Sequence, residues 1–297
     1  MTWTRGLDPD AADAIVDLAG LTLLSDGVAP LSGHVLEAIA DGEGDYLVLT
    51  EGARIAGIAV AHEQDPAELF VVPALRGLGL GTRLVDSALA KAGAVWAHGD
   101  LPAARAMAGK LGLTRTRELL QMRRALDPEW AAEQVAAAPL PTGVHLRTFV
   151  PGQDEQQFLG VNARAFDWHP EQGRLALAGL QQELAQPWFD QDGFFLAVDD
   201  ADTVLGFHWT KVHPPQPASV ELGEVHVLGV DPLATVGGRP ARGLGGPLTA
   251  AGLAYLAARG LQTVMLYVEG DNVRALRLYR RLGFETFSMD VVYRLPT

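Results

Sequence analysis

The sequence of 297 residues contains no cysteine, few aromatic residues, an excess of acidic over basic side chains and no long apolar run. The absence of cysteine excludes disulfides, thiolate metal sites and a cysteine nucleophile, and it suits a reducing cytoplasm. The formal net charge of −13 disfavours nucleic acid and anionic membrane surfaces as partners. No segment is long enough to span a bilayer, and the opening letters MTWTRGLDPD lack the apolar core of a signal peptide. We therefore expect a soluble cytoplasmic protein.

The sequence has enough hydrophobic residues, 48% of the total, to form the cores of two ordinary domains. In the first half, helical patterns over residues 9–24 and 31–40 precede the strand pair DYLVLTEGARIAGIAVAHE and a third strand, AELFVV. A helix from about Gly81, the strand AVWAHG and a helix from near Pro102 come next. The segment TRELLQMRRAL closes this half.

The second half repeats the same order of elements. Gly206 in FFLAVDDADTVLGFHWTKV falls where Gly57 did, and EVHVLGVDP matches ELFVVP when Pro232 is laid on Pro73. A glycine-rich helix, the strand TVMLYVE, the helix NVRALRLYRRLG and the strand FETFSMDVVYR complete the copy. The repeat predicts an α/β fold of two tandem units with mixed sheets, over residues 1–126 and 144–297, joined by an Ala/Pro-rich linker over 127–143.

Each copy follows a strand with an arginine, closely spaced glycines and a helix, as RGLGLGT over 76–82 and RGLGGPLT over 242–249. Such a turn presents unpaired backbone N–H groups at the positive end of a helix dipole, which is a ready site for a pyrophosphate. The signal is weak alone, because glycine turns before helices are common. Neither G-x-x-x-x-G-K-[ST] nor a G-x-G-x-x-G turn in a parallel βαβ unit is present.

The wider order of strand, R-x-x-G-x-G, helix, strand and a helix ending in YRRLGF resembles the acetyl-CoA-binding core of the GNAT superfamily of N-acetyltransferases. The first half has the complete motif, RGLGLG, whereas the second keeps Gly243 and Gly245 but has Pro240 in place of the usual Gln or Arg, after a longer loop, LATVGGRPA. The strings FDWHPEQG, GFHWTKVHP, GEVHVLGVDP and LYVEGDNVRALRLYRRLGF resemble tandem members that acetylate the cysteinyl amine of cysteinyl-glucosaminyl-inositol.

This resemblance implies acetyl-CoA as the acetyl donor, with each unit a candidate to bind it. In such folds the strand before the glycine turn splays from its neighbour, and pantetheine pairs with the freed edge. The implied contacts in the first unit are Leu69, Phe70, Val71, Gly77, Leu78, Gly79, Leu80, Gly81 and Thr82. Those in the second are Leu228, Gly229, Val230, Arg242, Gly243, Leu244, Gly245, Gly246, Asn272, Val273, Arg274, Ala275, Leu276 and Arg277.

Acyl transfer to an amine needs a general base, because an α-amino group with a pKa of about 8 is largely protonated at neutral pH. Glu224 is the expected base, since the two-residue strand period places it on one face with His226, Leu228 and Val230. The Leu228 N–H is the expected oxyanion donor. Tyr279 matches the hydroxyl with which the family protonates the departing thiolate. The alternative for Glu224 is a strand glutamate that only forms a salt bridge, and the alternative for Tyr279 is an aromatic residue that only packs in the core.

The resemblance also implies contacts to the acceptor, at Glu171, Lys211, Glu224 and Tyr267. Without it, these would be ordinary surface charges and a half-buried tyrosine. One departure lies in LSGHVL, where Gly33 stands in place of a frequent acidic residue. Either one substrate contact is lost or Glu37 replaces it from one helical turn away.

The two halves differ in the residues needed for catalysis. Laying Gly112 on Gly283 puts Ala108 at the position of Tyr279, and the strand alignment sets Asp65 opposite the expected base. The first unit is therefore predicted to bind acetyl-CoA without catalysing, and the second unit to be the catalytic one.

No metal is expected, because His208, His213 and His226 lie in adjacent predicted strands without supporting carboxylate spacing. The tryptophans are expected in the core or in cleft walls, and the chain is expected to act on a small molecule as a monomer. Two other functions stay open: acetylation of a different amine, and acetyl-CoA binding without catalysis. Measuring turnover against binding separates them.

Overall fold

The computed structural model describes residues 2–62, 65–168, 172–214 and 221–296. The chain separates into two compact units: unit 1 comprises residues 1–120, 269–273 and 287–297, and unit 2 comprises residues 121–268 and 274–286. Unit 1 thus combines the first 120 residues with two short segments from near the end of the chain, and unit 2 takes the remaining residues. Among the described residues, no helix combines the length and the apolar character that crossing a membrane requires.

Helices and strands alternate in both units, as the mixed α/β pattern predicts. The helices are α1 (Pro9–Asp26), α2 (Gly33–Asp41), α3 (Leu80–Ala92), α4 (Pro102–Leu111), α5 (Pro128–Ala137), α6 (Glu155–Ala165), α7 (Leu177–Leu184), α8 (Gly245–Ala258) and α9 (Val273–Arg281). The strands are β1 (Thr4–Arg5), β2 (Asp45–Glu51), β3 (Arg54–Ala61), β4 (Glu68–Val71), β5 (Ala94–Ala97), β6 (Thr114–Ala125), β7 (Val144–Thr148), β8 (Phe194–Asp199), β9 (Val204–His213), β10 (Leu222–Val230), β11 (Thr235–Val236), β12 (Arg239–Pro240), β13 (Thr263–Glu269) and β14 (Glu285–Arg294).

In unit 1, the strands β1, β2, β3 and β4 form an antiparallel sheet in that order. Ala67, just before β4, forms an isolated parallel bridge with Val95 of β5. The helix α3 covers one face of this sheet, where Leu84 is fully buried beside Ala59 and Leu47. This burial of apolar surface holds the glycine turn before α3 in a fixed place.

In unit 2, the strands follow the order β13, β10, β9, β8 and β7, with β10 and β13 parallel and the other neighbours antiparallel. Aromatic rings fill the face covered by α6: Phe194 stacks at 4.5 Å between Phe149 and Trp209, and Phe158 meets it edge-on at 5.2 Å. The offset and edge contacts are those that aromatic pairs prefer. This core fixes the strand β9, which borders the candidate site.

The opposite face of the unit 2 sheet is covered by α8, and a glycine lets the helix approach closely. A Cβ atom added at Gly252 would lie 2.2 Å from His208 Cε1. The buried His208 ring has its Nδ1 2.7 Å from the Leu248 carbonyl oxygen. Burial outweighs this hydrogen bond and lowers the pKa of His208 to about 4, so the ring is neutral at neutral pH.

The segment expected to be a linker, 127–143, contains the helix α5. Asp127 caps it, because its Oδ1 accepts the N–H of Trp130 at 2.8 Å, and Pro128 occupies the first turn. Ala131 of α5 is buried, and the helix packs against α8. The boundary between two domains at 127–143 remains a prediction, but residues 128–137 of this segment form a helix.

Candidate active site

Both units contain the predicted strand, glycine turn and helix. In unit 1, Leu69, Phe70 and Val71 lie on β4, and the turn to α3 uses Gly77 and Gly79 at φ of 80° and 81°. The next three predicted contacts, Leu80, Gly81 and Thr82, form the first turn of α3. A left-handed φ is cheap only for glycine, which explains the two glycines before the helix.

In unit 2, the longer loop before α8 is a small antiparallel hairpin. The strands β11 and β12 pair Thr235 with Pro240, and Gly237 and Gly238 form the turn at φ of 57° and 75°. Two positive φ values in a two-residue turn match the strand twist of a hairpin. Pro240, the departure from the family motif, therefore lies on the hairpin strand rather than in the glycine turn itself.

The glycine turn of unit 2 follows the hairpin directly. Arg242 is exposed, and Gly243 has a φ of 83° with open space where a Cβ would stand. Leu244 is buried as the residue before α8, and Gly245 and Gly246 begin the helix. These residues present backbone N–H groups at a helix N-terminus, as the pyrophosphate prediction requires.

One extra residue interrupts β10 next to the expected base. Val225 pairs with Thr210 of β9, and Val227 pairs with the adjacent Trp209, so His226 is the additional residue of a β-bulge. Such a bulge bends its strand and increases the local twist. The sequence carries no signal for it.

The described pairing between β10 and the parallel strand β13 covers residues 223–225 and ends before the bulge. The Asp231 N–H donates to the Leu205 carbonyl at 2.9 Å, on the β9 side. Strand alternation therefore turns the N–H groups of Leu228 and Val230 toward the other edge, the one next to β13. The role of the Leu228 N–H as oxyanion donor stays a prediction.

The bulge also separates side chains that were expected to share a face. His226 and Glu224 lie together, with His226 Nδ1 3.7 Å from Glu224 Oε1. Leu228 and Val230 instead pack with Leu248 of α8, on the opposite face of the sheet. The prediction of a common face is therefore wrong beyond the bulge, because one added residue reverses the two-residue alternation.

Two imidazoles and a second carboxylate surround Glu224. His213, at the end of β9, has its Nε2 2.5 Å from Glu224 Oε2. On the other side, His226 Nε2 lies 3.3 Å from Glu183 Oε2, so His226 bridges two carboxylates. Glu224 is buried, whereas the side chains of His213 and Glu183 are partly exposed. Sequence reasoning missed His213 and Glu183 as neighbours of the expected base.

These contacts determine the protonation states of Glu224 and His226. Burial raises the pKa of Glu224, but the hydrogen bonds from His213 and His226 outweigh it and hold the pKa well below its usual range. Burial lowers the pKa of His226, but Glu183 and Glu224 outweigh it and raise the pKa to about 9. At neutral pH, Glu224 is a carboxylate and His226 an imidazolium.

Lys211 and Tyr267, two expected acceptor contacts, lie beside this group. Lys211 pairs with Glu224 in the strand register, and its Nζ stands 4.3 Å above the ring of Trp188. Tyr267 is an exposed side chain of β13, two residues after Met265, the register partner of Glu224, and thus on the same face. Its hydroxyl oxygen accepts a hydrogen bond from Gln121 Nε2 at 2.6 Å.

Tyr279, the expected acid, lies on α9 and is buried. Its ring meets Phe284 edge-on at 5.7 Å, and burial raises the pKa of its hydroxyl. The phenol therefore keeps its proton at neutral pH, which an acid requires. The remaining expected cofactor contacts, Asn272, Val273, Arg274, Ala275, Leu276 and Arg277, lie at the start of α9. Asn272 and Val273 count with unit 1, the others with unit 2.

Unit 1 repeats the backbone arrangement but not the catalytic side chains. The Val72 N–H donates to the Ala56 carbonyl at 2.9 Å, so the N–H groups of Leu69 and Val71 turn toward the β5 side. Arg76, the arginine that precedes the glycine turn, has its guanidinium 2.6 Å from Asp26 Oδ2. This pairing leaves less of its charge for an anionic ligand.

The alignment of the two helix ends is supported by identical backbone bonds. Leu113 N–H donates to the Ala108 carbonyl at 2.9 Å, and Phe284 N–H donates to the Tyr279 carbonyl at 3.0 Å. Ala108 is therefore the counterpart of Tyr279 and belongs to the unit 1 core. Asp65 lies before β4, where its N–H donates to the His62 carbonyl.

Unit 1 also has a buried acid in contact with imidazole, Glu68, which the sequence did not single out. Glu68 at the start of β4 accepts the Ser32 N–H at 2.6 Å, and its Oε2 lies 3.1 Å from His98 Nε2. The His98 Nδ1 lies 3.3 Å from Asp290 Oδ2. The two carboxylates that contact His98 lie 30 and 192 residues away from it in sequence, and no local pattern could have indicated these contacts.

Three further predictions concern other parts of the chain. Glu171, an expected acceptor contact, lies outside the described residues. Gly33 begins α2, and Glu37 is exposed one turn along the same helix. His208 faces α8, on the side of the sheet opposite His226, so the three strand histidines do not meet at one point.

Comparison with known proteins bears on the function. The acetyltransferase (GNAT) family matches residues 23–113 and 162–284. Mycothiol acetyltransferases from Nocardia farcinica and Amycolatopsis mediterranei are 46% and 48% identical to this chain. The alignments cover 98% of the chain and 96% and 97% of those relatives.

Two solved structures are similar in fold. A GCN5-related N-acetyltransferase from Sphaerobacter thermophilus has a TM-score of 0.67 at 21% identity, covering 98% of this chain and 95% of that one. A tandem GNAT protein from the clavulanic acid biosynthesis pathway has a TM-score of 0.68 at 18% identity, covering 98% of both chains.

Proposed function

The chain belongs to the acetyltransferase (GNAT) family, and we propose that it transfers acetyl from acetyl-CoA to the cysteinyl amine of cysteinyl-glucosaminyl-inositol, the last step of mycothiol biosynthesis. The chain is an acetyltransferase of tandem fold, and the narrower resemblance, to mycothiol synthase, agrees with the mycothiol acetyltransferases that it matches over nearly their full length. The acceptor, the catalytic residues and the division of labour between the units are the proposal.

The observation that carries the proposal is the buried Glu224 carboxylate on β10, the strand whose Leu228 and Val230 N–H groups face the β13 side. A carboxylate with imidazole neighbours can draw a proton from an ammonium group, directly or through an intervening group. The Leu228 N–H, turned toward the same edge, is suited to stabilise the negative oxygen that develops on the acetyl carbonyl. Tyr279, whose phenol is protonated, is the proposed acid for the thiolate leaving group.

Acetyl-CoA fits the donor groups of unit 2. The N–H groups of Leu228 and Val230 can pair with the amides of pantetheine, as an added strand would. Gly243 leaves open space where a side chain would block a pyrophosphate, and Gly245 and Gly246 begin α8 with their N–H groups unpaired within the helix. The molecule supplies an activated acetyl group, and Arg242 and the start of α9 would add cationic contacts.

Lys211 and Tyr267 are proposed to contact the acceptor. Both have polar atoms on the Glu224 face of the sheet, and a polyol such as glucosaminyl-inositol offers many hydroxyls to such groups. Glu171 keeps the same proposed role from the sequence resemblance alone. The Glu183 carboxylate is exposed enough to attract the ammonium of the acceptor.

Unit 1 is proposed to bind acetyl-CoA without catalysing transfer. Its strand edge and glycine turn repeat those of unit 2, which supports binding. Ala108 stands where unit 2 has Tyr279, so no hydroxyl is present at that position to protonate a thiolate. The buried Glu68 at the start of β4 is already paired with Ser32 and His98.

Mass spectrometry of the purified protein incubated with acetyl-CoA and cysteinyl-glucosaminyl-inositol tests the proposal. We expect a product heavier by one acetyl group that still carries a free thiol, because the amine and not the sulfur is acetylated. Glucosaminyl-inositol, which lacks the cysteinyl amine, is the matched control and should stay unmodified. Acetylation of this control, or blocking of the thiol, would contradict the proposed acceptor atom.

A further inference from the structure

His213 is the neighbour of Glu224 to which no role has yet been given. It ends β9 opposite Leu222 of β10, and its Nε2 lies 2.5 Å from Glu224 Oε2. Its side chain is 34% exposed, against 9% for Glu224. An accessible imidazole therefore stands in front of a covered carboxylate.

The covered carboxylate is poorly suited to hold the proton itself. Its two oxygens face ring nitrogens, Oε2 facing His213 and Oε1 facing His226. Protonating either oxygen would replace an acceptor by a donor and set N–H against O–H.

The two imidazoles beside Glu224 differ in what their nitrogens can do. Both nitrogens of His226 face carboxylates, Glu183 and Glu224, and this ring already carries a second proton at neutral pH. In the described part of the chain, His213 has a hydrogen-bond partner at Nε2 alone. With Nε2–H donating to Glu224, the lone pair of a neutral imidazole lies on Nδ1 and can accept a proton.

We propose that His213 is a catalytic residue that accepts the proton of the acceptor ammonium at Nδ1, while Glu224 positions the ring and pairs with the imidazolium that forms. This inference rests on the proposed acetyl transfer. The arrangement has the logic of a carboxylate that orients a histidine base and stabilises its cation without being protonated itself.

The acceptor nitrogen gives up two protons as the amide forms. One proton passes from the ammonium nitrogen to His213 Nδ1 and then leaves to water from the exposed ring. The freed lone pair forms the bond to the acetyl carbon, and the carbon–sulfur bond breaks. The nitrogen loses a second proton as the amide forms, which matches the proton that Tyr279 gives to the leaving sulfur and later regains.

Charged side chains lie near His213. Among the described residues, they are Glu224 and His226 of β10, Lys211 of the same strand and Glu183 of α7. His213 is itself the proposed base, and the rate of a base-catalysed step depends on pH. Substituting His213 should therefore change the pH dependence of the reaction and not only its rate.

Single-turnover rates of His213→Gln between pH 5 and pH 9 test the inference, because glutamine can still donate to Glu224 but cannot accept the proton. We expect a loss of roughly a hundredfold at neutral pH, with acetyl-CoA affinity unchanged. The remaining rate should rise only as the amine itself deprotonates, at a pH of about 8. In His213→Ala, added imidazole should restore part of the rate in proportion to its neutral form, and in His226→Ala it should not.

The controls separate this inference from the proposed function. If the wild-type protein does not acetylate the acceptor, the proposed function fails and this inference fails with it. If the wild type is active and folded His213→Gln keeps its rate and pH profile, only the inference is overturned. Circular dichroism establishes folding. Should His213→Gln not fold, the imidazole response of His213→Ala decides, and absence of rescue in folded, inactive His213→Ala overturns the inference.

Discussion

Each unit holds a carboxylate in contact with imidazole, and the two groups differ in how much of them is covered. In unit 1, the side chains of Glu68, His98 and Asp290 are 7%, 14% and 18% exposed. In unit 2, the buried Glu224 meets His213, which is 34% exposed and, within residues 172–214 and 221–296, has a hydrogen-bond partner at Nε2 alone.

Similar functional groups thus serve different ends. In unit 1, His98 lies between the Glu68 and Asp290 carboxylates, and Glu68 also accepts the Ser32 N–H, so each of these charged groups has a polar partner inside the fold. Burial lowers the pKa of His98, but Asp290 and Glu68 outweigh it and raise the pKa to about 10. Accessibility, more than the type of residue, distinguishes a structural ion cluster from one that can exchange protons with a substrate.

Replacing Glu224 and Glu68, the buried glutamates of the two groups, is the strongest way to test this contrast. Glu224→Gln keeps shape but removes the charge that supports the base, so acetylation at neutral pH should fall by roughly a hundredfold or more while acetyl-CoA still binds. Glu68→Gln, its counterpart in unit 1, should lower the melting temperature and leave the rate of the folded protein unchanged. Steady-state rates and binding titrations check both. A near-normal rate for Glu224→Gln would remove it from the base site.

Tyr279→Phe should have a smaller effect on the rate. The substitution removes only a hydroxyl, so transfer should slow by roughly tenfold to a hundredfold. Acetyl-CoA affinity should not change, because the thiolate develops only during the reaction. Rapid-quench measurement of the transfer step, together with a binding isotherm, separates these quantities. Weaker binding with an unchanged rate would make Tyr279 a structural residue.

The smallest expected effect is a shift of melting temperature with pH. Because the pKa of His98 is raised from an unfolded value of about 6.5 to about 10, its stabilisation is complete below the lower value and is lost as pH rises through the upper one. The melting temperature should therefore fall between neutral pH and pH 10. His98→Gln should reduce this fall without abolishing it, since His226 shifts in the same direction. Identical slopes for wild type and variant would contradict the role of His98.

Much of this arrangement could be predicted from the sequence, because it rests on local patterns. The repeat placed Gly112 on Gly283, and both end a helix with a positive φ and the same backbone bond. The helix α5 (Pro128–Ala137), inside the segment 127–143, had a readable signal as well, in the Asp127 cap, the following proline and the alanine content. Apolar periodicity does not reveal this helix, because the segment has none.

The remainder depends on contacts between distant residues. A bulge at His226 leaves the letters of a strand unchanged, so the reversal of side-chain direction before Leu228 could not be read from the two-residue period. Glu183 reaches His226 from 43 residues away in sequence. Pairings of this kind are set by how helices pack on a sheet, which one sequence does not reveal.

The central claim, that catalysis belongs to unit 2, is tested most directly by the acetylation rates of Gly81→Asp and Gly245→Asp side by side. Both glycines lie in the first turn of a helix and neither has a positive φ. An added Cβ would lie 3.3 Å from the flexible Met107 Cε at Gly81 and 3.8 Å from Leu278 Cδ2 at Gly245, so both variants should fold, with the alanine variants as controls. Each aspartate opposes a pyrophosphate at its helix N-terminus. We predict that Gly245→Asp abolishes acetylation and Gly81→Asp keeps much of it. A folded, inactive Gly81→Asp beside an active Gly245→Asp would assign catalysis to the other unit.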